Sequence, residues 1–290
     1  EAAAVGARAA EARGGPPLHS SPLELALLDV ARGGGEEQCY SRLASSSFQV
    51  RSASYMRDGL KVPSPEAAQC LAVELFESTA AVADVAVRRG APSHTLHRRA
   101  AAPLSSVFVV SLVLPAPAGV YQLVMYFGLA QAAAAGPAHD LLQRFVGGGA
   151  AFRNARFKLF PLVSEGPWIV RKAIGSRPAL LGRALKQRFS ATACGEGGAR
   201  LPLFHVVADC NSSPAAGRAV ALAKSYARSL VVDLAFAVEP QAEAELPERL
   251  LGAVRLHHLS LDEVPFFDPA RASPAESRRA PSDEGAHLVE

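Results

Sequence analysis

Apolar positions along this chain come in short runs divided by Gly, Pro and Ser, with no long helical stripe or heptad. Residues 47–51, 70–77, 107–114 and 120–127 are rich in Val, Phe, Tyr and Leu, the composition of strands. The last two are joined by Pro115-Ala116-Pro117-Ala118-Gly119, a turn of hairpin length. Residues 137–146 form a brief helix that stops at Gly147-Gly148-Gly149. Further on, 203–210 is a strand, and Ser213-Pro214 supplies an N-cap and a first-turn proline for a helix to about Arg228. The nearly all-apolar stretch 230–238 is a buried strand, and 253–261 is a last one. Near the start, Ser21-Pro22-Leu23-Glu24 has the form of a capping box opening a short helix that ends by Gly33-Gly34-Gly35. Strands outnumber helices and the early ones form hairpins. The expected class is α+β, antiparallel-rich sheet(s) with a few packed helices in a single domain.

The ends lack this pattern. Residues 1–36 form an N-terminal segment, Ala/Gly/Arg-rich at first and expected to be disordered apart from its short helix. Residues 37–268 form the domain, and 269–290 a Ser/Pro/Arg/Glu tail without periodicity. The uncharged stretch 100–138 is long enough to span a bilayer, but proline breaks its middle and both flanks alternate like strands. A buried hairpin explains the same composition. The first 20 residues lack the apolar core of a signal peptide.

Composition adds little until charge is placed along the chain. An apolar fraction of 49% is ample for a core, and a net charge of +3 is too weak for a general polyanion binder. Between Arg153 and Arg188, however, stand nine Lys or Arg against one acid, Glu165. That segment carries +8 and leaves −5 for the rest, a footprint to test against phosphates or an acidic partner. A solvated face whose charges pair with acids elsewhere explains it equally. The four cysteines are too scattered for a disulfide framework or a CxxC site, so a reducing, cytoplasmic setting is expected.

Two carboxylates interrupt apolar strands, Asp209 and Asp233. Together they could perform acid/base chemistry, but no nucleophile motif accompanies them, and a structural role with an Arg or backbone partner is favoured. His94 and His97 have metal-ligand spacing without a third ligand, His257-His258 point to opposite sides of a strand, and His205 is flanked by apolar residues. No HExxH, GxSxG, GxGxxG or P-loop is present, so neither metal nor cofactor is expected. The helix start at Ser212 and Ser213 offers hydroxyls and free N–H groups to an anion, although most such ends are simply capped.

One series of segments is distinctive. Glu165-Gly166-Pro167-Trp168-Ile169-Val170-Arg171-Lys172-Ala173-Ile174-Gly175 is followed by Pro178-Ala179-Leu180-Leu181-Gly182-Arg183. Ser212-Ser213, Ser229-Leu230-Val231-Val232-Asp233-Leu234-Ala235-Phe236 and Glu245-Leu246-Pro247-Glu248-Arg249-Leu250-Leu251-Gly252 come after, in that order. Together they resemble the C-terminal domain of the plant and algal Enhanced Disease Resistance 2 proteins. Phe48-Gln49-Val50-Arg51 with Tyr55-Met56-Arg57-Asp58-Gly59-Leu60-Lys61-Val62 is similar to that family's opening motif. The resemblance runs from about residue 39 to 268. The family's acidic strand, Glu-x-Asp-x-Asp-x-Gly, is represented here by His205, Val207, Asp209 and Asn211, which leaves one acid. The resemblance implies a domain often joined to phosphoinositide-binding pleckstrin-homology and lipid-binding START domains, acting at membranes in trafficking and defence signalling. It assigns no catalytic residue.

The expected function is therefore a non-enzymatic, cytoplasmic and peripheral membrane module. Arg171, Lys172, Arg177, Arg183 and Lys186 would meet anionic phospholipid. The alternatives are a protein-interaction domain in defence or trafficking signalling, and an enzyme using Asp209 and Asp233. Nucleic acid is not an expected partner, because the basic segment lacks the exposed aromatics of a stacking platform.

Overall fold

The computed structural model describes residues 18–19, 23–28, 38–88, 90–131, 135–195 and 200–269. Its main strands are β1 (Cys39–Ser41), β2 (Ala68–Ser78), β3 (Leu104–Ala116), β4 (Gly119–Ala130), β5 (Phe157–Glu165), β6 (Lys186–Cys194), β7 (Leu201–Asp209), β8 (Val231–Val238) and β9 (Leu250–His257). The helices that matter below are α1 (Pro137–Gly147), α2 (Ala150–Asn154), α3 (Trp168–Ile174) and α4 (Pro214–Ser225).

Residues 104–130 of the uncharged stretch form a hairpin. β3 and β4 pair from Leu104↔Ala130 to Ala116↔Gly119, so the strands run into the proline turn and leave only two residues at its tip. Among the described residues no helix is long and apolar enough to cross a membrane. This hairpin anchors a half-barrel sheet whose order is β5–β8–β9–β2–β4–β3–β7–β6. Most neighbours are antiparallel, in line with the antiparallel-rich expectation, but the sheet is mixed, which that expectation did not include. β7 runs parallel to β3 from Leu203↔Val107 to Asp209↔Val113, and β9 meets β2 in parallel at Gly252↔Ala68 and Ala253↔Gln69. Strands from both halves of the chain interleave, so no cut separates two sheets.

A second correction concerns the start of the chain. Leu23–Glu24 and Ala26–Leu27 are extended rather than helical. β9 covers only the first residues of β2, so an open length of β2 accepts Leu23–Glu24 as a partner, and Leu25 is buried there with its N–H on the Val73 carbonyl. Open ladder positions outweighed the capping signal. Residues 1–17, 29–37, 196–199 and 270–290 lie outside the described residues. Two element ends also move inward: α4 stops at Ser225, and the last strand at His257.

Two apolar cores cover the faces of the sheet. Phe108, Phe145, Phe157, Phe204 and Phe236 cluster on one face of the sheet, with Phe157 stacked on Phe236 at 5.7 Å. α1 closes this side with Leu141, Leu142 and Phe145. On the other face Phe76, Tyr126, Val107 and Leu96 form a second core under residues 82–100. Buried polar groups there are paired. Ser111 bonds His205 Nε2 at 2.7 Å and accepts from Gln122, which also holds the Val82 backbone. Burial pushes the His205 imidazole down to about 4. Glu74 is clamped by Arg88 and the Tyr126 hydroxyl, and burial lifts its carboxyl above the ordinary range. All four cysteines are buried and none is in a disulfide.

Candidate functional site

The nine bases of the segment divide into two groups. β5 carries Lys158 opposite Ala237, which brings it to the end of β8 where the chain turns through Glu239, Glu245 and Glu248. Lys158 Nζ lies 2.7 Å from Glu248 and 2.8 Å from Glu239. Arg156 bonds Glu245 at 2.8 Å, and Arg144 reaches the same carboxylate at 2.9 Å. Arg51 completes the cluster on Glu239 at 3.0 Å, while its backbone N–H donates to Glu248. Burial alone would raise the Glu245 carboxyl, but the Gln241 N–H, Arg156 and Arg144 hold it below its ordinary value. Arg153 has a different partner. Its guanidinium donates to the Phe145 and Val146 carbonyls at the end of α1 and lies over Phe189 and Phe204. These three bases are structural.

The motif residues 245–252 therefore serve the interior. They supply two of the buried carboxylates, and Gly252 lets β9 pass Phe127, since a Cβ there would stand 2.2 Å from that ring. Gly182 has the same meaning, for its Cβ would fall 2.3 Å from the Asn154 carbonyl of α2.

The other bases face water. Arg171, Lys172, Arg177, Arg183, Lys186 and Arg188 are exposed, and no ion pair involves them among the described residues. α3 is fixed by Val170 and Ile174, four residues apart, which pack with Leu222, Ala223 and Leu230. The opposite side presents Trp168, 66% exposed, and Ile169, 44% exposed, with Arg171 and Lys172 beside them. Lys172 Nζ sits 5.8 Å from the Trp168 ring centre. Sequence reasoning missed these two apolar residues. The signal was present, because fixing Val170 and Ile174 inward leaves Trp168 and Ile169 outside. The expectation that this segment lacks an exposed aromatic is thus corrected, although a single ring is not the row of rings that stacking uses.

Ser212 and Ser213 do not meet all five bases. Ser212 Oγ accepts the Lys186 N–H at 2.8 Å and donates to the Asp209 carbonyl at 2.5 Å. Ser213 caps α4 through the Ala216 N–H. Lys186 thus joins the start of α4, whereas α3 with Arg171 and Lys172 packs near its other end, a separation of roughly 15 Å for a helix this long. Both hydroxyls are already engaged within the fold.

The two strand carboxylates also part company. Asp233, 1% exposed, accepts from Arg255 Nε at 2.7 Å and Nη2 at 2.8 Å, and from the Ser164 hydroxyl. Arg255 is its direct cross-strand neighbour on β9, so its base comes from outside the basic segment. Asp209 accepts from the Asn211 N–H at 2.9 Å. Four strands stand between β7 and β8 in the sheet order, and no hydrogen bond links the two carboxylates. His205, where the family's acidic strand begins, is consumed by Ser111 inside the fold.

A cleft of about 480 Å³ opens elsewhere, between α1, the end of β4, and the starts of β2, β3 and β9. Its walls include Ala68, Leu104, Gly128, Leu142 and Leu251, and none of the nine bases lines it.

The family model described as Protein ENHANCED DISEASE RESISTANCE 2, C-terminal, matches residues 40–260. The chain is 35% identical over 234 residues to an Arabidopsis thaliana protein named Protein ENHANCED DISEASE RESISTANCE 2-like. That match covers 79% of this chain and 30% of the relative, so the chain spans under a third of the relative's length. No solved structure matches. The family match runs from β1 past the end of β9, taking in the ion cluster, α3 and the sheet that joins them, and this chain belongs to the Enhanced Disease Resistance 2 C-terminal family.

Proposed function

We propose that this domain is a non-enzymatic regulatory module that docks on an anionic phospholipid surface at the cytoplasmic side of a membrane. Arg171, Lys172, Arg177, Arg183 and Lys186 are the contacting groups. The observation that carries this reading is their exposure with no ion pair among the described residues, while Arg156 and Lys158 of the same segment are paired. Each cation near such a surface contributes about 1 kcal/mol, so five give usable attraction that salt screens. Vesicle flotation with and without phosphoinositide, at low and high salt, tests it. Flotation is expected at low salt on anionic vesicles and is reduced at high salt. Failure to float at low salt overturns the reading.

A second reading, a protein-interaction domain in defence or trafficking signalling, draws on the name of the Arabidopsis relative. It predicts capture of an acidic protein that survives detergent, which the membrane reading does not.

A further inference from the structure

We infer that the outer side of α3 is an interfacial anchor, with Trp168 and Ile169 entering the headgroup–acyl boundary of an anionic bilayer while Arg171 and Lys172 hold headgroups. The inference rests on the membrane reading above and adds the inserted element to it. Trp168 is the most exposed large apolar side chain among the described residues, and Ile169 adjoins it. A scattered surface apolar residue needs no explanation. Here two are adjacent, on one helix side, with two cations that no ion pair involves among the described residues. Glu165, exposed at the end of β5, is the one acid in the surrounding segment, against six exposed bases.

The chemistry of the tip fits this boundary. An indole has an apolar body and one N–H donor, the combination that favours the headgroup level. Lys172 beside the ring keeps a cation at the depth where phosphate would lie. The helix has seven residues, about 10 Å of length, so it can lie in the interface but not cross the bilayer. Val170 and Ile174 lock it to α4, so the tip is presented without an ordering cost.

Trp168 is the one tryptophan of the chain, so its fluorescence reports on this position alone. The full chain is mixed at low salt with vesicles of equimolar phosphatidylcholine and phosphatidylserine, and cosedimentation is read with emission. The expected result is cosedimentation with a blue-shifted emission, loss of quenching by aqueous acrylamide, and gain of quenching by bromine-labelled acyl chains. Trp168→Ala is expected to weaken vesicle affinity roughly tenfold, with an unchanged urea midpoint because the side chain packs little. Cosedimentation with unshifted emission and full acrylamide access overturns insertion and leaves electrostatic docking standing. Absence of cosedimentation overturns both. A shift produced by soluble polyglutamate or a single-stranded oligonucleotide, but not by vesicles, also overturns it and moves the tip to a different partner.

Discussion

Arg156, just before β5, and Lys158, within it, have carboxylates 2.7–2.8 Å away, whereas Arg171, Lys172, Arg177, Arg183 and Lys186 look into solvent from later in the same basic segment. Linear charge density does not distinguish them. Strand register does, because it sets Lys158 against the end of β8 and so beside Glu239 and Glu248, with Glu245 left to Arg156. A buried cation needs such partners, since desolvating it unpaired costs several kcal/mol. The basic side chains of α3, of the turn after it and of Lys186 at the start of β6 point into water, where no such demand arises. The first group is legible as structure only once its acids are seen, and the second becomes a candidate surface only once its acids are found missing.

The widest separation between the groups comes from removing the exposed charges together. Changing Arg171, Lys172, Arg177, Arg183 and Lys186 to Gln is expected to cost about 5 kcal/mol of membrane attraction, over a thousandfold in vesicle affinity. The thermal midpoint should stay within about a degree or two, because surface substitutions away from paired groups shift stability little. The mirror-image change is Glu248→Ala, which strips Lys158 of one buried partner and the Arg51 N–H of its acceptor. A loss of about 4 kcal/mol in urea unfolding is expected, with vesicle affinity of the remaining folded protein unaltered. If instead binding falls and stability holds, the assignment of the two groups is reversed.

Acid pH separates interior from surface by another route. The folded pKa of His205 lies near 4, below the ordinary 6.5, because burial opposes its charged form. Its neutral state therefore stabilises the fold fully above pH 6.5, and that contribution is lost as pH falls through the window to about 4. About 3 kcal/mol should disappear across this window, read as the pH dependence of the urea midpoint relative to His205→Gln. The smallest change is Arg183→Ala alone, expected to weaken vesicle binding by about 1 kcal/mol and leave stability within about 0.5 kcal/mol.

Much of the architecture was legible in local pattern. The β3–β4 hairpin, α1, and the β7–α4–β8 unit follow from runs of Val, Leu and Phe and from proline at helix starts. β5 and β6 were not. β6 reads Lys186-Gln187-Arg188-Phe189-Ser190-Ala191-Thr192-Ala193-Cys194, and as the last strand of the sheet it has no need to be apolar on both sides. β5 contains Pro161, a residue that usually argues against a central strand, and it is covered on its outer side only by Ala179–Leu180. Of the site, the residue types were visible but their partners were not. Arg255 beside Asp233 depends on β8–β9 register, and the Glu239–Glu245–Glu248 cluster on contacts between distant segments. Trp168 was hidden for a simpler reason: an apolar residue in a motif is read as core unless its helical phase is worked out.

β9 has one further consequence. It pairs with β8 on one side and with β1 and the start of β2 on the other, and so joins the β5–β8 part of the sheet to the β2–β4–β3–β7–β6 part. During synthesis this strand leaves the ribosome after nearly all the others. Until it arrives, β8 and β2 both keep open edges, and the nascent sheet exists as two halves with unpaired backbone. The domain should thus fold late and slowly for its size, as sheets dominated by distant pairings do, and a chain cut short before Leu250 should aggregate rather than yield a smaller stable core.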